Sequence, residues 1–410
     1  MTAKTKIEWT QETWNPIAGC SVISSGCDNC YAMQMAYRLE AMGLDKYQGT
    51  TRKNASGRTL WTGEIKFDEK ALMKPLSWKD PRRIFVNSMS DLFHEDVQNE
   101  WIDQIFSVMA LCPQHTFQIL TKRPERMRDY IMSRDNVIHQ KYSNVRGSYT
   151  IGFLTKYLTT DPTLNNPKYR KLHDNGHIWQ VWQETLSNPA AERLYARWPL
   201  PNVWLGVSVE DQKTAEERIP FLLDTPAAVR WISAEPLLGM IDLTRIWAKM
   251  PSGGKCLCNT LRRNCDDNLD WVVVGGESGP NARPMHPEGP RSLRDQCKGT
   301  NVPFFFKQWG EWLSVYDRDK DDPGWRRIPE SKDNNTRFIN LEGGHGFHGQ
   351  KVHFIAKVGK KAAGHLLDGE VIQQYPGDVV CPYCNGEGEI ETDNNGPIVS
   401  CPICEDTTDE

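Results

Sequence analysis

Six short segments built mainly from β-branched and aromatic residues recur along the chain, at residues 83–88, 116–122, 203–208, 229–235, 271–277 and 302–308. Strands that are apolar throughout must be covered on both faces, which is the situation in a parallel sheet. Helix-like stretches separate these segments, at 99–111, 124–133, 212–223 and 290–296. The alternation predicts an α/β fold in which about six to seven parallel strands form a partial or complete (β/α) barrel.

Polar side chains follow every one of these segments. The carboxyl ends of parallel strands meet at one edge of a sheet, where ligands bind, so we expect these side chains to form an active-site rim. The rim candidates are Asn87, Ser88, Ser90, Asp91, Thr121, Lys122, Arg123, Ser208, Glu210, Asp211, Ser233, Glu235, Glu277, Ser278, Lys307 and Gln308. Lys307 either positions an anionic substrate group or pairs with a buried carboxylate such as Glu277. Arg283 and His286 lie in the loop after residues 271–277, where a structural or solvated role is favoured for a histidine.

The predicted barrel is interrupted and extended. We expect the barrel over residues 1–133 and 200–315, a helical insertion over 134–199, an extension of the barrel over 316–365 and a small C-terminal module over 366–410. The insertion is richer in Lys and Arg than in Asp and Glu, and aromatic residues are interleaved with them. Such a segment can follow a nucleic-acid backbone and stack bases, or it is a helical subdomain whose aromatics form its own core.

The formal net charge of −4 conceals an asymmetry. Residues 366–410 contain 11 acidic residues and no Lys or Arg, so removing their −11 from −4 leaves +7 on residues 1–365. A mildly basic body can bind a polyanion such as DNA or RNA. An ordinary solvated surface explains the same charge equally well.

Twelve cysteines occur in a chain whose beginning has no signal-peptide core. No apolar run approaches the roughly 20 residues that a membrane span requires. We therefore expect a cytoplasmic protein with no membrane partner. In a reducing compartment, this many cysteines favours metal binding over disulfides.

Three of the cysteines lie near the N-terminus, in the sequence TWNPIAGCSVISSGCDNCY of residues 13–31. Cys20, Cys27 and Cys30 sit on a loop with Gly and Ser that can wrap three thiolates around one centre. A structural zinc normally has four ligands, whereas a catalytic centre keeps one position open. A three-cysteine iron–sulfur site likewise leaves one iron without a protein ligand. The alternative is a zinc site completed by a remote His or Cys.

A three-cysteine loop that opens an α/β barrel resembles the radical S-adenosylmethionine superfamily. In that superfamily the cysteines hold a [4Fe–4S] cluster whose free iron binds S-adenosylmethionine, and reductive cleavage yields a 5′-deoxyadenosyl radical. The usual spacing there is three and two residues, whereas six and two residues separate the cysteines here.

Later segments sharpen the resemblance. NSMSDLFHED, ILTKR, GVSVE and SAEPLL resemble, in this order, strand-end motifs of the spore photoproduct lyase-like branch. WNPIAGC, VGGESGP and FFFKQWGEW are the most specific marks of a likeness to a phage- and prophage-encoded three-cysteine-motif family whose reaction is unassigned. The resemblance covers residues 7–132 and 200–315.

The resemblance implies roles for individual residues. It places a [4Fe–4S] cluster on Cys20, Cys27 and Cys30, with S-adenosylmethionine beside it. Gly275-Gly276-Glu277 matches a superfamily motif that binds the methionyl amine, but it follows a late strand rather than an early one, so we place Glu277 on the rim without that role. The cofactor-binding candidates are Ser208 and Glu210, and the catalytic candidates are Asp91, Lys122, Glu235, Glu277 and Lys307.

The same resemblance implies partners and a location. We expect an electron donor protein, a nucleobase in DNA or RNA as the substrate and, for a phage-encoded protein, the cytoplasm of the host cell. Two other functions remain open. One is a zinc-dependent nucleic-acid-binding or protein-interaction protein in which every cysteine site is structural. The other is a barrel hydrolase that uses rim carboxylates, for which the sequence shows no nucleophile–base pair.

The C-terminal cysteines form a paired C-x-x-C pattern. Cys381 and Cys384 make one pair, and Cys401 and Cys404 make the other. Two such pairs complete a tetrahedral Cys₄ site, so we expect a structural Zn²⁺ in a zinc-ribbon-like module that needs the metal to fold. Its lack of Lys and Arg makes it a poor phosphate binder.

The remaining cysteines are less regular in spacing. Cys256, Cys258 and Cys265, with Cys297 nearby, either form a second cluster or zinc site or are free thiols in a surface insertion. Cys112 follows a helix-like stretch and is predicted to be a buried core residue.

Overall fold

The computed structural model describes residues 5, 7–141, 199–249, 254–262, 268–314, 335–341, 352–377, 389–391 and 398–400. The predicted insertion beyond residue 141, Cys265 and the four C-terminal cysteines lie outside the described residues. The described strands are β1 (Glu12–Trp14), β2 (Ile17–Ala18), β3 (Thr51–Lys53), β4 (Thr59–Trp61), β5 (Lys66–Phe67), β6 (Arg83–Val86), β7 (Thr116–Thr121), β8 (Val203–Ser208), β9 (Val229–Ala234), β10 (Ile246–Lys249), β11 (Lys255–Cys258), β12 (Trp271–Gly275), β13 (Phe304–Gln308), β14 (Trp312–Ser314), β15 (Thr336–Ile339), β16 (His353–Lys357), β17 (Glu389–Glu391) and β18 (Ile398–Ser400). The described α-helices are α1 (Tyr31–Ala41), α2 (Glu69–Leu72), α3 (Asn99–Ala110), α4 (Pro124–Lys141), α5 (Gln212–Leu223), α6 (Glu288–Lys298) and α7 (Lys360–Ala363).

Seven parallel strands form the main sheet, in the order β1-β6-β7-β8-β9-β12-β13. Its two edges, β1 and β13, do not pair with each other within the described residues, so the sheet is a curled half-barrel. The predicted α/β fold with a parallel sheet is therefore confirmed, in its partial-barrel form. All six predicted segments contain strands of this sheet, and β1 supplies the seventh.

Helices connect consecutive strands of the sheet. α3 lies between β6 and β7, α5 between β8 and β9, and α6 between β12 and β13, while α4 follows β7. α5 begins with a capping box in which the Asp211 carboxylate accepts a hydrogen bond from the Thr214 amide at 2.8 Å. Because its carboxylate caps α5, Asp211 marks the end of the loop between β8 and α5 and does not face the rim.

The two faces of the sheet bury different side chains. The helix-covered face carries aliphatic residues such as Ile84, Ile119 and Val272 in the largest core cluster. The inner face carries a second cluster of aromatic residues, with T-shaped and tilted ring contacts. Its buried members are Trp9, Phe85, Trp231, Trp271, Val273 and Phe305. This cluster fills the half-barrel below its carboxyl-end mouth.

Polar residues replace the aromatics farther along the same inner face. Successive side chains of a strand alternate between faces, so Ser233 follows Trp231 on the inner face and Lys307 follows Phe305. The inner face is therefore an aromatic floor beneath a polar mouth. The strand-end residues predicted to form a rim lie at this mouth.

Smaller elements surround the sheet. β14, β16 and β15 form a three-stranded antiparallel sheet, and β3 with β4, and β10 with β11, form antiparallel pairs. The N-terminal segment adds a short β2–β5 pair beside the cysteine loop. Within the part of the chain that is described, no helix has the length and apolar character needed to cross a membrane.

We predict that Trp271→Ala lowers the free energy of unfolding by about 3–5 kcal/mol, because it removes a fully buried ring from the aromatic floor. Trp271 contacts five other aromatic side chains there, and its indole N–H donates to the Gln374 carbonyl at 2.8 Å. Urea unfolding followed by circular dichroism measures the loss. Trp247→Ala is the matched control, because that ring is 49% exposed, and an equal loss in both variants would contradict the prediction.

Candidate functional site

A cavity of about 660 Å³ opens at the carboxyl ends of the parallel strands. The thiol-bearing loop of residues 20–30, here named the cysteine loop, forms part of its wall. The predicted site residues that line the cavity are Cys20, Cys27, Cys30, Asp91, Lys122, Ser208, Glu235, Glu277 and Lys307. Glu210 lies behind this wall and contacts it through Lys122. The structure thus brings together the predicted barrel-site residues, which come from seven separate parts of the chain.

The cysteine loop has a compact backbone. It includes a single 3-10 turn at Ser25–Cys27, and Cys30 is the residue that immediately precedes α1. Gly26 is required in this turn, because a Cβ there would lie 2.2 Å from Oε1 of Glu210. The loop therefore packs directly on a strand-end carboxylate.

The first attachment of the loop to the sheet is at Ser21. Asp91, which is buried, accepts hydrogen bonds from the Thr121 hydroxyl at 2.7 Å and from Nη1 of Arg123 at 3.1 Å. Nη2 of Arg123 in turn donates to the Ser21 hydroxyl at 2.6 Å. His94 contacts the same hydroxyl at 2.9 Å. Asp91 thus acts through Arg123 on the residue next to Cys20.

The second attachment is at Ser24, whose hydroxyl donates to Oε1 of Glu210 at 3.0 Å. The Glu210 side chain is completely buried, and it also pairs with Lys122 and Arg218. Burial would raise the pKa of Glu210, but the two cations outweigh it and hold the pKa below its usual value. Nζ of Lys122 also donates to the Ser208 hydroxyl at 2.5 Å.

The third attachment is at the other end of the loop. Asn29 donates to Oε2 of Glu277 at 2.9 Å, and Nη2 of Arg283 donates to the Ser25 carbonyl at 2.8 Å and to Oε1 of Glu277 at 2.6 Å. Burial favours a raised pKa for Glu277, but the hydrogen bonds from Arg283 lower it below its usual value. Glu277 and Arg283 together fix the loop at Ser25 and Asn29, on either side of Cys27.

Lys307 forms a different kind of pair. Its Nζ lies 2.7 Å and 2.9 Å from the two carboxylate oxygens of Glu235. Lys307 thus pairs with a carboxylate, as one of the two interpretations predicts, but the partner is Glu235 rather than the example Glu277, whose carboxylate pairs with Arg283. β12 separates the strands that bear Glu235 and Lys307, and its Gly275 has no side chain to intervene; a Cβ there would lie 3.3 Å from Cδ of Glu235. This pair lines the cavity without bonding to the cysteine loop.

The donor set of the loop suits a soft, thiophilic metal centre. Three thiols line one cavity, and thiolates are the ligands that iron–sulfur clusters and zinc select. Burial and the Asp91 carboxylate raise the pKa of Cys20 to about 12, and the two other thiols add to this effect. Burial likewise raises the pKa of Cys30. Such thiols ionise when a cation binds them, so the site fits the predicted cluster chemically. As the side chains stand, no three His, Cys, Asp or Glu residues in the described ranges form a metal-holding group.

The Gly-Gly-Glu segment has a packing explanation. A Cβ on Gly276 would lie 2.0 Å from the Trp309 carbonyl oxygen, so the loops after β12 and β13 touch through backbone atoms. The Gly276 amide donates to the Gln308 carbonyl at 2.9 Å, and the Gln308 side chain donates back to the Gly276 carbonyl at 2.7 Å. This contact places Glu277 next to Arg283 at the mouth.

The four other cysteines that the structure describes divide into two environments. Cys112 is buried in the main core, as predicted, and so is Cys297, on α6. The sulfur atoms of Cys256 and Cys258 are 2.7 Å apart on one face of β11. Cys297 belongs to the core rather than to this pair.

Sequence reasoning missed several residues of the site. Arg218 lies on a helix and reaches back to Glu210. Ser21, Ser24 and Asn29 lie between the cysteines and belong to no motif of their own. Arg283 has no predicted role, and the structure gives it contacts with both Glu277 and the loop. Three serines and an asparagine between closely spaced cysteines are the sequence signal for such attachments.

Comparison with known proteins gives one match. A family model matches residues 4–376, and its description is "Protein of unknown function (DUF5131)". Neither the curated proteins nor the solved structures contain a match to the chain.

We predict that Glu277→Gln lowers the free energy of unfolding by about 1–3 kcal/mol at pH 7, because it removes the charge that Arg283 pairs with. The lowered pKa of Glu277 means that the carboxylate stabilises the fold above its usual pKa of 4.5 and loses this effect as the pH falls through the folded-state value. Urea unfolding across a pH series should therefore show the two proteins converging in acid. Glu217→Gln, at an exposed ion pair with Lys213, should leave stability unchanged at every pH.

We also predict that Gly276→Ala destabilises the protein by about 2–3 kcal/mol, because the added Cβ would overlap the Trp309 carbonyl and force two loops apart. The thermal unfolding midpoint measures the change. Gly299→Ala is the matched control, since the nearest atom to its Cβ would be 3.4 Å away and its φ is −68°. Equal midpoints for the two variants would refute the packing explanation.

Proposed function

The chain belongs to the DUF5131 family, whose description assigns no activity, and we propose that it is a radical S-adenosylmethionine enzyme. The observation that carries the proposal is the convergence of three thiols and a ring of strand-end polar side chains on one cavity. The resemblance of the sequence motifs to that superfamily supports it. So does the position of the thiols at the carboxyl end of a parallel half-barrel, where ligands of such folds bind.

Cys20, Cys27 and Cys30 would hold a [4Fe–4S] cluster. With S-adenosylmethionine, that cluster supplies a 5′-deoxyadenosyl radical able to abstract a hydrogen atom. The attachments at Ser21, Ser24 and Asn29 keep the thiols facing the cavity, and the aromatic floor excludes water from beneath it. Asp91, Lys122, Glu210 and Glu277 are positioning residues in this proposal, because their bonds go to the loop or its neighbours.

Glu235 and Lys307 are the proposed catalytic and ligand-binding residues. Both line the cavity, and their pair makes no bond to the cysteine loop. The ammonium group can bind an anionic group of a ligand, and the carboxylate can bind an amine. Ser208 and Ser233, at the ends of neighbouring strands, add hydroxyl groups to the same wall. The proposed substrate is a nucleobase in DNA or RNA, with an electron donor protein as partner.

We predict that the protein, purified without oxygen and reconstituted with iron and sulfide, binds about four iron atoms per chain. It should be brown and should release 5′-deoxyadenosine from S-adenosylmethionine when dithionite is added. Cys20→Ala, Cys27→Ala and Cys30→Ala should each lose the cluster colour and this release. Iron analysis, visible absorption and chromatography measure the three properties.

Two control variants test whether the loss of iron is specific to the three cysteines of the loop. Cys112→Ala changes a buried core thiol and should keep the iron, and Cys381→Ala should lose zinc but keep the iron. A protein that binds about two zinc ions per chain and no iron would overturn the proposal. It would favour the zinc-dependent binding protein instead.

A further inference from the structure

Exposed apolar side chains are concentrated beside the cavity. Of the thirteen large apolar side chains that are exposed in the described residues, seven lie between residues 22 and 44. They are Val22, Ile23, Tyr31, Met35, Tyr37, Met42 and Leu44. Folded proteins rarely leave a contiguous patch of this kind uncovered unless it binds something. Ile23, Tyr31 and Met35 also line the cavity, so the patch begins at the mouth.

The patch spans the exposed side of α1. Tyr31 and Met35 are four residues apart and therefore neighbours on the helix surface beside the cavity, whereas Tyr37, two residues after Met35, lies toward the opposite edge of that exposed side. The Tyr31 hydroxyl donates to the Ser88 carbonyl at 2.9 Å, which fixes the ring at the rim while leaving it 52% exposed. We name Ile23, Tyr31, Met35 and Tyr37 the mouth patch.

Positive charge adjoins the mouth patch. Residues 31–61, which comprise α1 and the β3–β4 pair, contain five Lys or Arg residues and two acidic residues. Arg38, Arg52 and Lys53 are exposed, and Nζ of Lys53 lies 4.9 Å from the centre of the Tyr37 ring. One of the two acidic side chains, Glu40, accepts a hydrogen bond from the Gly49 amide at 2.9 Å. Lys46 and Arg58 are ion-paired with Asp68 and Asp28, respectively. The positive charge next to the aromatic rings is therefore carried by Arg38, Arg52 and Lys53.

We propose that the mouth patch and its adjoining cations bind a single-stranded segment of nucleic acid and deliver one base to the cavity. Every base has a face that can stack on Tyr31 or Tyr37, and Arg38 and Lys53 are placed to contact phosphates. A base must leave its helical stack before chemistry can reach it, and a cavity of about 660 Å³ at the end of the patch can accept one. The inference rests on the proposed function, whose substrate class it assigns to a particular surface.

The test is the fluorescence anisotropy of labelled 20-nucleotide single strands, one of DNA and one of RNA, titrated with the full-length protein at several NaCl concentrations. Arg38→Ala combined with Lys53→Ala should reduce the slope of log K against log[salt] by about 1.4, because each lost phosphate contact accounts for about 0.7. Tyr37→Ala should weaken binding about tenfold at every salt concentration without changing the slope, because it removes a stacking surface and no charge.

The matched control removes the same number of charges elsewhere. Lys79→Ala combined with Lys298→Ala changes two exposed lysines that do not line the cavity, and it should leave both the affinity and the slope as in the wild type. Thermal midpoints of all variants establish that each is folded. The comparison of the DNA and RNA strands identifies which nucleic acid the surface prefers.

Three outcomes would overturn the inference. They are no binding of either strand at the lowest salt, equal effects of the test and control charge variants, and binding that Tyr37→Ala leaves unchanged. If instead an acidic protein binds and competes at the same residues, the surface is a protein-docking site. Iron content and S-adenosylmethionine cleavage are measured on the same preparation, so a catalytically active protein that binds no strand would refute this inference and leave the proposed function intact.

Discussion

Burial of three carboxylates at the mouth of the half-barrel governs the rest of the site. Asp91, Glu210 and Glu277 have almost no solvent contact, and an unpaired charge there would cost several kcal/mol. Each is neutralised by an arginine or lysine, and each arrangement is bonded to the cysteine loop: Arg123 donates to Ser21, Ser24 donates to Glu210, and Asn29 donates to Glu277. The loop cannot move away from the sheet without breaking these bonds. Ser21 and Ser24 are two of the three attachment points, and both lie between Cys20 and Cys27. The longer first interval between the cysteines therefore contains the residues that hold the loop against the sheet.

Along each strand, the inner face of the sheet carries aromatic residues that pack together and, nearer the carboxyl end, polar residues that line the cavity. Side chains two residues apart on a strand share a face, so the aromatic floor and the polar mouth are successive layers of the same strands. The rings of the floor are buried against one another, and Trp271 contacts Trp9, Trp231 and Phe305. Charges directly above such a floor interact more strongly than they would in water, because the floor lowers the local dielectric constant. The ion pairs at the mouth therefore gain strength from the layer beneath them.

Much of this arrangement could be predicted from the sequence because strand periodicity and strand-end chemistry are local properties. Continuous apolar segments identified the parallel strands, and the polar residue after each one identified the rim. The partners of those residues could not be predicted, since pairing depends on strand order and on what the intervening strand carries. Lys307 meets Glu235 because Gly275 on the strand between them has no side chain. Arg218 reaches Glu210 from a helix, which no motif at the strand end indicates.

The polar residues of the mouth differ in the free energy that is needed to exchange their hydrogen-bond and ion-pair partners. Asp91, Glu210 and Glu277 each hold several donors in a buried setting, so a ligand that displaced one donor would leave a charge uncompensated. Glu235 and Lys307 pair with each other, and Glu8 lies 3.8 Å from Nζ of Lys307 as a second carboxylate. The Glu235 and Lys307 side chains are 22% and 12% exposed, so water already reaches both. An anionic ligand group can take the place of Glu235 at Lys307 while the carboxylate turns to solvent or to a ligand amine. This difference in cost, rather than residue type, distinguishes the pair that can meet a ligand from the carboxylates that hold the loop.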